Sequence, residues 1–188
     1  LLSLVVGSIT NEGYASNYSR VGLGPKGTIK PDIASYGGDL LRGDNGEMIM
    51  KGVNSFSRNG NVASSSGTSF ATARISSLAT IIYQNICKDF KDFSDFNPIL
   101  LKALIIHSAK NTDKNLSVEE IGYGIPSTST EILSYFKNEN IKMFNGVMEK
   151  NKEIELDASF FNYKKDIKIK LTLVYDTEFD YLQKGEYI

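Results

Sequence analysis

The chain has 188 residues, of which 41% are apolar and 23% are charged, with 21 basic and 22 acidic side chains. This composition is typical of one globular domain, with or without a small appendage, and it excludes intrinsic disorder. The balanced charge argues against a nucleic-acid partner, and no apolar run is long enough to predict a membrane span. Cys87 and His107 are each the single residue of their type, which excludes an internal disulfide and a metal site rich in cysteine or histidine.

The first elements are predicted from apolar runs and from their spacing. Leu1–Ile9 is almost continuously apolar and predicts a buried strand. Because no Met or charged leader region precedes it, we expect the sequence to be a piece of a longer protein. Residues 10–66 are rich in Gly, Ser and Asn and are predicted as loops, apart from one short strand at Met48–Val53.

Helical spacing begins after this segment. It extends from Ser69 to Cys87, and the last turns are apolar nearly all round, which predicts a deeply buried helix. A second helix is predicted from Asn97 and Pro98, an N-cap followed by a first-turn proline, to about Ala109. A third is predicted over about Glu131–Phe136.

The last part of the chain has a different period. Glu153–Phe160 and Ile167–Leu173 alternate apolar and polar residues, which predicts antiparallel strands with one wet, lysine-rich face. The change of period predicts a boundary near residue 140, with the main domain in residues 1–140 and the start of a β-rich extension in residues 141–188.

A turn of small polar residues leads into the first long helix and carries the chemistry. Ser69 lies at or next to the helix N-terminus, where the backbone N–H groups have no internal partners and favour negative charge. A serine there presents its hydroxyl, and its own N–H can face an oxyanion formed on an attacked carbonyl. An ordinary serine N-cap is the alternative interpretation of the same pattern.

Four motifs in sequence order resemble those of the subtilisin-like serine peptidases, the subtilases of peptidase family S8. The stretch around Ser69 resembles the Gly-Thr-Ser-x-Ala nucleophile motif. Its three neighbours resemble a Val-x-Ala-Val-Gly-Ala strand, a Lys-Pro-Asp-Val/Ile run, and a Val-Lys-Ala-Leu-Leu helix together with the Gly-x-Gly turn that follows it. The matching residues, in that order, are Gly67-Thr68-Ser69-Phe70-Ala71, Val5–Ile9, Lys30–Ile33, Leu101–Ile106 and Gly122-Tyr123-Gly124. Together they span about residues 4–136.

The resemblance implies an α/β fold: a partial subtilisin-like parallel sheet with flanking helices in residues 1–140, followed by a C-terminal antiparallel β segment. It implies a serine endopeptidase in which Ser69 is the nucleophile and an oxyanion donor, with Gly67 and Thr68 near the oxyanion and the substrate. The catalytic Asp and His and the oxyanion-hole Asn are expected upstream of this chain. The expected partners are a peptide or protein substrate and the N-terminal part of the same protease.

The resemblance also bears on cofactors, location and activity. No cofactor is expected, and the structural calcium that family members often bind has no supporting acidic motif here, although Asp32 and Asp39 are possible ligands. A secreted or cell-envelope protein is favoured by the resemblance alone.

The chain also departs from the family pattern at several positions. Ala73 and Arg74 stand where the family frequently has Pro and His, and Ala34–Gly37 lacks the usual Ala-Pro-Gly turn. These departures suggest a divergent member and leave open a catalytically inactive one that binds or regulates.

His107 invites two other interpretations of the site. A Ser69–His107 dyad is disfavoured because His107 shares an apolar helix face with Leu100, Ala103 and Leu104. An α/β-hydrolase order of serine, acid and histidine, with Asp92 or Asp95 as the acid, fails because Ala71 replaces the second glycine of the nucleophile elbow. His107 is therefore predicted to be structural. Asp32 is also predicted to be structural, because it follows Pro31 in a turn.

Overall fold

A computed structural model describes residues 3–24, 27–89, 97–111, 116–149, 152–153, 155 and 168–176. The structural statements below concern these residues. The predicted strand at Glu153–Phe160 and the acids Asp92 and Asp95 lie outside them, apart from Glu153 and Glu155. No described helix is both long and apolar enough to cross a membrane.

The parallel part of the sheet consists of β1 (Val6–Ile9) and β2 (Ile33–Tyr36), with Val6 opposite Ile33 and Ile9 opposite Tyr36. Ile33 and Ala34 are fully buried, which is the expected environment of a parallel strand covered by helices. The predicted buried strand at the start of the chain is thus confirmed for its last four residues.

Two antiparallel hairpins follow β2. One joins β3 (Asp39–Arg42) to β4 (Met48–Lys51), and the other joins β5 (Val53–Phe56) to β6 (Val62–Ser65). The predicted short strand at Met48–Val53 is confirmed as β4, whereas the prediction that the rest of residues 10–66 forms loops was wrong for β2, β3, β5 and β6. The sequences of β3, β5 and β6 lack the alternation of apolar and polar residues that predicts a strand.

Four helices cover the sheet or extend the core. They are α1 (Thr68–Asp89), α2 (Pro98–Ser108), α3 (Val118–Ile121) and α4 (Ser129–Ser134), the last continuing into a 3₁₀ turn at Tyr135–Lys137. The three predicted helices are confirmed as α1, α2 and α4. The main core joins β2, α1, α2 and α4, and its buried members are Ile33, Ile75, Ile82, Ile86, Leu100, Leu104, Ile105, Ile106, Ala109 and Ile132.

The last turns of α1 are not buried all round, contrary to the prediction. Ile82 and Ile86 are completely buried, whereas Ile81 is 41% exposed, Tyr83 is 49% exposed and Cys87 is exposed. The described elements cover one face of the helix, so apolar residues on the other face contact solvent. The apolar residues around the last turns predicted a buried helix, but they did not indicate which face of the helix other elements would cover.

The described part of the tail, residues 168–176, forms no strand paired with another described residue. Its side chains do alternate: Thr172 and Val174 turn towards the body, while Leu171 and Leu173 are 80% and 77% exposed. Lys168 and Lys170 are exposed, as expected for a wet face, and the Lys170 ammonium also donates to the carbonyls of His107 and Ala109 at 2.6 and 3.0 Å. The boundary near residue 140 remains a prediction.

Candidate functional site

Ser69 is the second residue of α1 and its side chain is exposed. Gly67 occupies the N-cap position and has no side chain with which to cap the helix. The Gly67 carbonyl accepts a hydrogen bond from the Phe70 N–H at 3.1 Å. Within the described part of the chain, neither the Ser69 hydroxyl nor its N–H is paired outside the helix, and the residue is exposed at the helix start.

The turn before Ser69 is tied to the end of the parallel strand pair. The Gly67 N–H donates to the Gly37 carbonyl at 2.9 Å, and the Gly37 N–H donates to the Ile9 carbonyl at 3.1 Å. Ile9 ends β1, and Gly37 directly follows β2. Ser69 is therefore presented at the carboxyl edge of the two strands, the edge where open parallel sheets bind ligands.

Two glycines, Gly37 and Gly38, allow the backbone segments at this edge to approach one another. A methyl group on Gly37 would overlap the Ser8 hydroxyl and the Gly67 carbonyl. A methyl on Gly38, whose φ is +85°, would lie 2.6 Å from the Gly52 Cα. A side chain at either position would force the turn that carries Gly67 away from β2.

The electrostatics at the start of α1 favour an anion. The first N–H groups of a helix have no intrahelical acceptor and carry the positive end of the helix dipole. The first turn of α1 contains no acidic residue that would neutralise this end. An oxygen that acquires negative charge next to Ser69 would thus meet unpaired amides, which is the environment required to stabilise a tetrahedral intermediate.

A cleft of about 580 Å³ opens at the same edge of the sheet. Tyr36 and Ser64 are among its lining residues, and Glu12 and Lys51 also line it and form an ion pair at 3.1 Å. The hydrogen bond from Lys51 holds the pKa of Glu12 below its usual value. Ser69 is not among the lining residues, so the cleft lies beside the serine turn and does not contain it.

His107 makes its contacts on the other side of the core. Its Nδ1 lies 2.9 Å from the Thr172 hydroxyl, and its ring meets the Tyr135 ring edge-on at 5.9 Å. Burial, and then the charge of Lys170, lower the pKa of His107. None of its described contacts involves Ser69, which supports the prediction that His107 is structural and counts against a Ser69–His107 dyad.

Asp32 and Asp39 both bind protein groups. The Asp32 carboxylate accepts from the Val5 N–H at 2.7 Å and from the Lys30 ammonium at 2.6 Å, and so fixes the approach to β1. The Asp39 carboxylate accepts from the Asn17 N–H at 2.9 Å. These contacts support the structural interpretation of Asp32. Among the described residues, no three His, Cys, Asp or Glu side chains are grouped as a metal site would require.

Residues near the serine turn also include three hydroxyl side chains that the sequence analysis did not select. Ser8, Ser16 and Tyr18 meet beneath Gly37 and Gly38 and hydrogen-bond to their carbonyls or to one another. Serines are frequent in this part of the chain, so no sequence pattern separates these from the others. The Gly37-Gly38 pair directly after a strand was the available signal of a crowded backbone.

The fold and the site together define an α/β protein with an exposed serine at the open N-terminus of its longest helix. The model of the subtilase family, Peptidase_S8, matches residues 2–124 of the chain. The chain belongs to this family. No curated protein matches the sequence of this chain significantly.

The chain is also similar to solved structures, and the first of them supports the fold. The chain is similar to the CspB protease of Clostridium perfringens, with a TM-score of 0.52 and 19% identity over 76% of this chain and 28% of that protein. MycP1 from Mycobacterium smegmatis has a TM-score of 0.47 and 22% identity over 81% of this chain and 34% of its own. The patellamide maturation protease PatA has a TM-score of 0.47 and 19% identity over 72% and 43%. The chain thus spans less than half the length of each.

Proposed function

We propose that the chain is the C-terminal part of the catalytic domain of a serine endopeptidase, with Ser69 as its nucleophile. The observation that carries the proposal is the position of Ser69 within a Gly-Thr-Ser motif, exposed at the uncapped start of α1 and at the carboxyl edge of β1 and β2. Membership of the subtilase family supports the same assignment. Peptide and protein substrates follow from it.

In the proposed reaction, the Ser69 Oγ attacks the scissile carbonyl carbon and its proton passes to a histidine. The carbonyl oxygen becomes an anion facing the Ser69 N–H, and the histidine then returns the proton to the leaving amine. Water hydrolyses the acyl-enzyme by the reverse sequence of proton transfers. The histidine, the aspartate that orients it and the oxyanion-hole asparagine are proposed to lie upstream of this chain.

Exposed apolar surface supports a role for an N-terminal part of the same protease as partner. Val5 is 42% exposed before β1, and Ile81 and Tyr83 are exposed on α1. Within the described residues, β1 pairs with β2 on one edge and with no strand on the other. We therefore expect this chain, when expressed alone, to associate with the preceding part or with itself.

The test is Ser69→Ala in the full-length protein, with an activity probe that reacts with activated serines, a fluorophosphonate. The variant should lose probe labelling and peptide hydrolysis by about 10³-fold or more, because the attacking oxygen is removed. Ser77→Ala, which changes another exposed serine of α1, is the matched control and should label normally. Undiminished labelling of Ser69→Ala, or an unlabelled wild-type protein, would contradict the proposal.

A further inference from the structure

A network of three hydroxyl groups lies beneath the turn that follows β2. The Ser8 and Ser16 side chains are 0% and 3% exposed, and Tyr18 is half-buried. The Ser8 oxygen lies 3.0 Å from the Tyr18 hydroxyl and 2.9 Å from that of Ser16. We call Ser8, Ser16 and Tyr18 the hydroxyl network.

The network has one hydrogen for each of its three oxygens, which restricts how it is connected. The Tyr18 hydroxyl donates to the Gly37 carbonyl at 2.8 Å and also lies 3.0 Å from the Gly38 carbonyl, while Ser16 donates to the Gly38 carbonyl at 2.6 Å. Ser8 then donates to the oxygen of Ser16 or of Tyr18. Each buried oxygen has a partner, and no described buried side-chain polar atom is left without one.

The Gly37 carbonyl connects this network to the serine turn. It accepts hydrogen bonds from the Tyr18 hydroxyl at 2.8 Å and from the Gly67 N–H at 2.9 Å, so both of its lone pairs are used. Gly67 is two residues before Ser69 and caps α1. The orientation of one peptide group therefore links Tyr18 to the start of the helix.

We propose that Tyr18 is a positioning residue for Ser69, acting through the Gly37 carbonyl and the Gly67 N–H. The inference rests on the proposed function of Ser69. A buried hydrogen bond in a crowded glycine turn fixes a peptide plane, and a displacement of about 1 Å at a reacting atom costs up to about 10²-fold in rate. Tyr18 touches no substrate in this role, so it affects the chemical step and leaves binding unchanged.

The test uses Tyr18→Phe in the full-length protein, with the fluorophosphonate reaction resolved into probe affinity and maximal labelling rate. Tyr18→Phe should lower the maximal rate, and kcat for a peptide substrate, by about 10-fold, with probe affinity and KM nearly unchanged. Hydrogen exchange at the Gly67 amide should become faster, because its acceptor is no longer held. Unchanged labelling rate and unchanged exchange would overturn the inference.

Two controls separate positioning from general loss of stability. Tyr123→Phe changes an exposed tyrosine whose N–H binds the Asp32 carbonyl, at the opposite end of β2, and should leave both rates unchanged. Ser16→Ala removes the shorter of the two hydroxyl contacts to the Gly38 carbonyl but leaves the Gly37 carbonyl bound to Tyr18 and Gly67. If Ser16→Ala slows labelling as much as Tyr18→Phe for an equal loss of thermal stability, the role of Tyr18 is structural and the inference is wrong.

A milder variant covers the case in which Tyr18→Phe does not fold. Ser8→Ala removes a hydroxyl that contacts Tyr18 and should produce a smaller change of the same kind in labelling rate and Gly67 exchange. No change in Ser8→Ala would then count against the network. Labelling that persists in Ser69→Ala refutes the proposed function itself, and so the two failures are distinguishable.

Discussion

The N-termini of α1 and α2 differ in whether a side chain accepts hydrogen bonds from the unpaired amides of the first turn. At α2, the Asn97 side chain accepts a hydrogen bond from the Leu100 N–H at 2.9 Å, and a proline follows at the first helical position. At α1, the N-cap is Gly67, and the amides of the first turn have no side-chain acceptor among the described residues. One helix start is closed by its own sequence, while the other remains open to an incoming oxygen.

The shorter α4 follows the pattern of α2, because the Thr128 hydroxyl accepts from the Glu131 N–H at 3.3 Å. The longest helix of the described chain thus lacks the side-chain cap that α2 and α4 have. A glycine in place of a capping side chain costs a helix about a few tenths of a kcal/mol, and α1 tolerates this cost because Ile75, Ile82 and Ile86 bury its inner face. Stability comes from packing along the helix, which leaves its first turn available for chemistry.

The largest effect is expected from adding a capping side chain at the start of α1. Gly67→Asp places a carboxylate at the N-cap, and a Cβ there would contact no atom more closely than 3.8 Å. The helix should gain a few tenths of a kcal/mol, whereas fluorophosphonate labelling of the full-length protein should fall by about 10²-fold or more, because the carboxylate takes the amides and repels the oxyanion.

Gly67→Ala is the matched comparison, since it adds a methyl group without a hydrogen-bond acceptor. It should lose much less labelling than Gly67→Asp, and the difference between the two isolates the effect of the charge. Equal labelling by the aspartate and alanine variants would show that the amides at the start of α1 do not serve the reaction.

Removing the side-chain cap of α2 should have a smaller effect, and on stability instead of on labelling. Asn97→Ala removes the acceptor for the Leu100 N–H, and the free energy of unfolding should fall by about 1 kcal/mol. Urea denaturation measures this loss, and labelling of Ser69 should be unchanged under conditions in which the variant is folded. A loss of labelling without a loss of stability would argue that both helix starts contribute to the site.

The smallest expected effect concerns the other end of α2, where His107 meets the tail. Because its pKa lies below the ordinary value of 6.5, the folded protein holds a neutral imidazole more readily than the unfolded chain does. The stability due to His107 is therefore present above pH about 6.5, decreases as the pH falls below this value and levels off below the folded pKa.

Unfolding free energies measured at about pH 7.5 and about pH 5 test this sign. The wild-type protein should lose more stability on acidification than His107→Gln, which keeps a polar side chain opposite Thr172 but does not titrate in this range. The charged groups near His107 include Lys170 on the tail, and Lys110 and Glu131, which form an ion pair beside Tyr135. Equal losses in both proteins would show that His107 protonation is not coupled to folding.

Sequence reasoning located the helices because their signals are local. Asn97 and Pro98 predicted the start of α2, and recurring apolar residues predicted α1 to within two residues at its end and one at its start. Of the hairpin strands, β3, β5 and β6 were missed because none of them alternates apolar and polar residues. Each hairpin nevertheless contains an Asn-Gly pair, with Gly46 and Gly60 at positive φ, and these turns were the signal that could have found them.

The sequence by itself determined the helix pattern, the family resemblance and the choice of Ser69, since each depends on residues that are close together along the chain. The tertiary structure alone decided which face of α1 is covered, that His107 binds the tail, and that Tyr18 shares the Gly37 carbonyl with Gly67. These contacts join residues far apart in sequence, and hydrogen-bond geometry and burial exist only once the chain has brought them together.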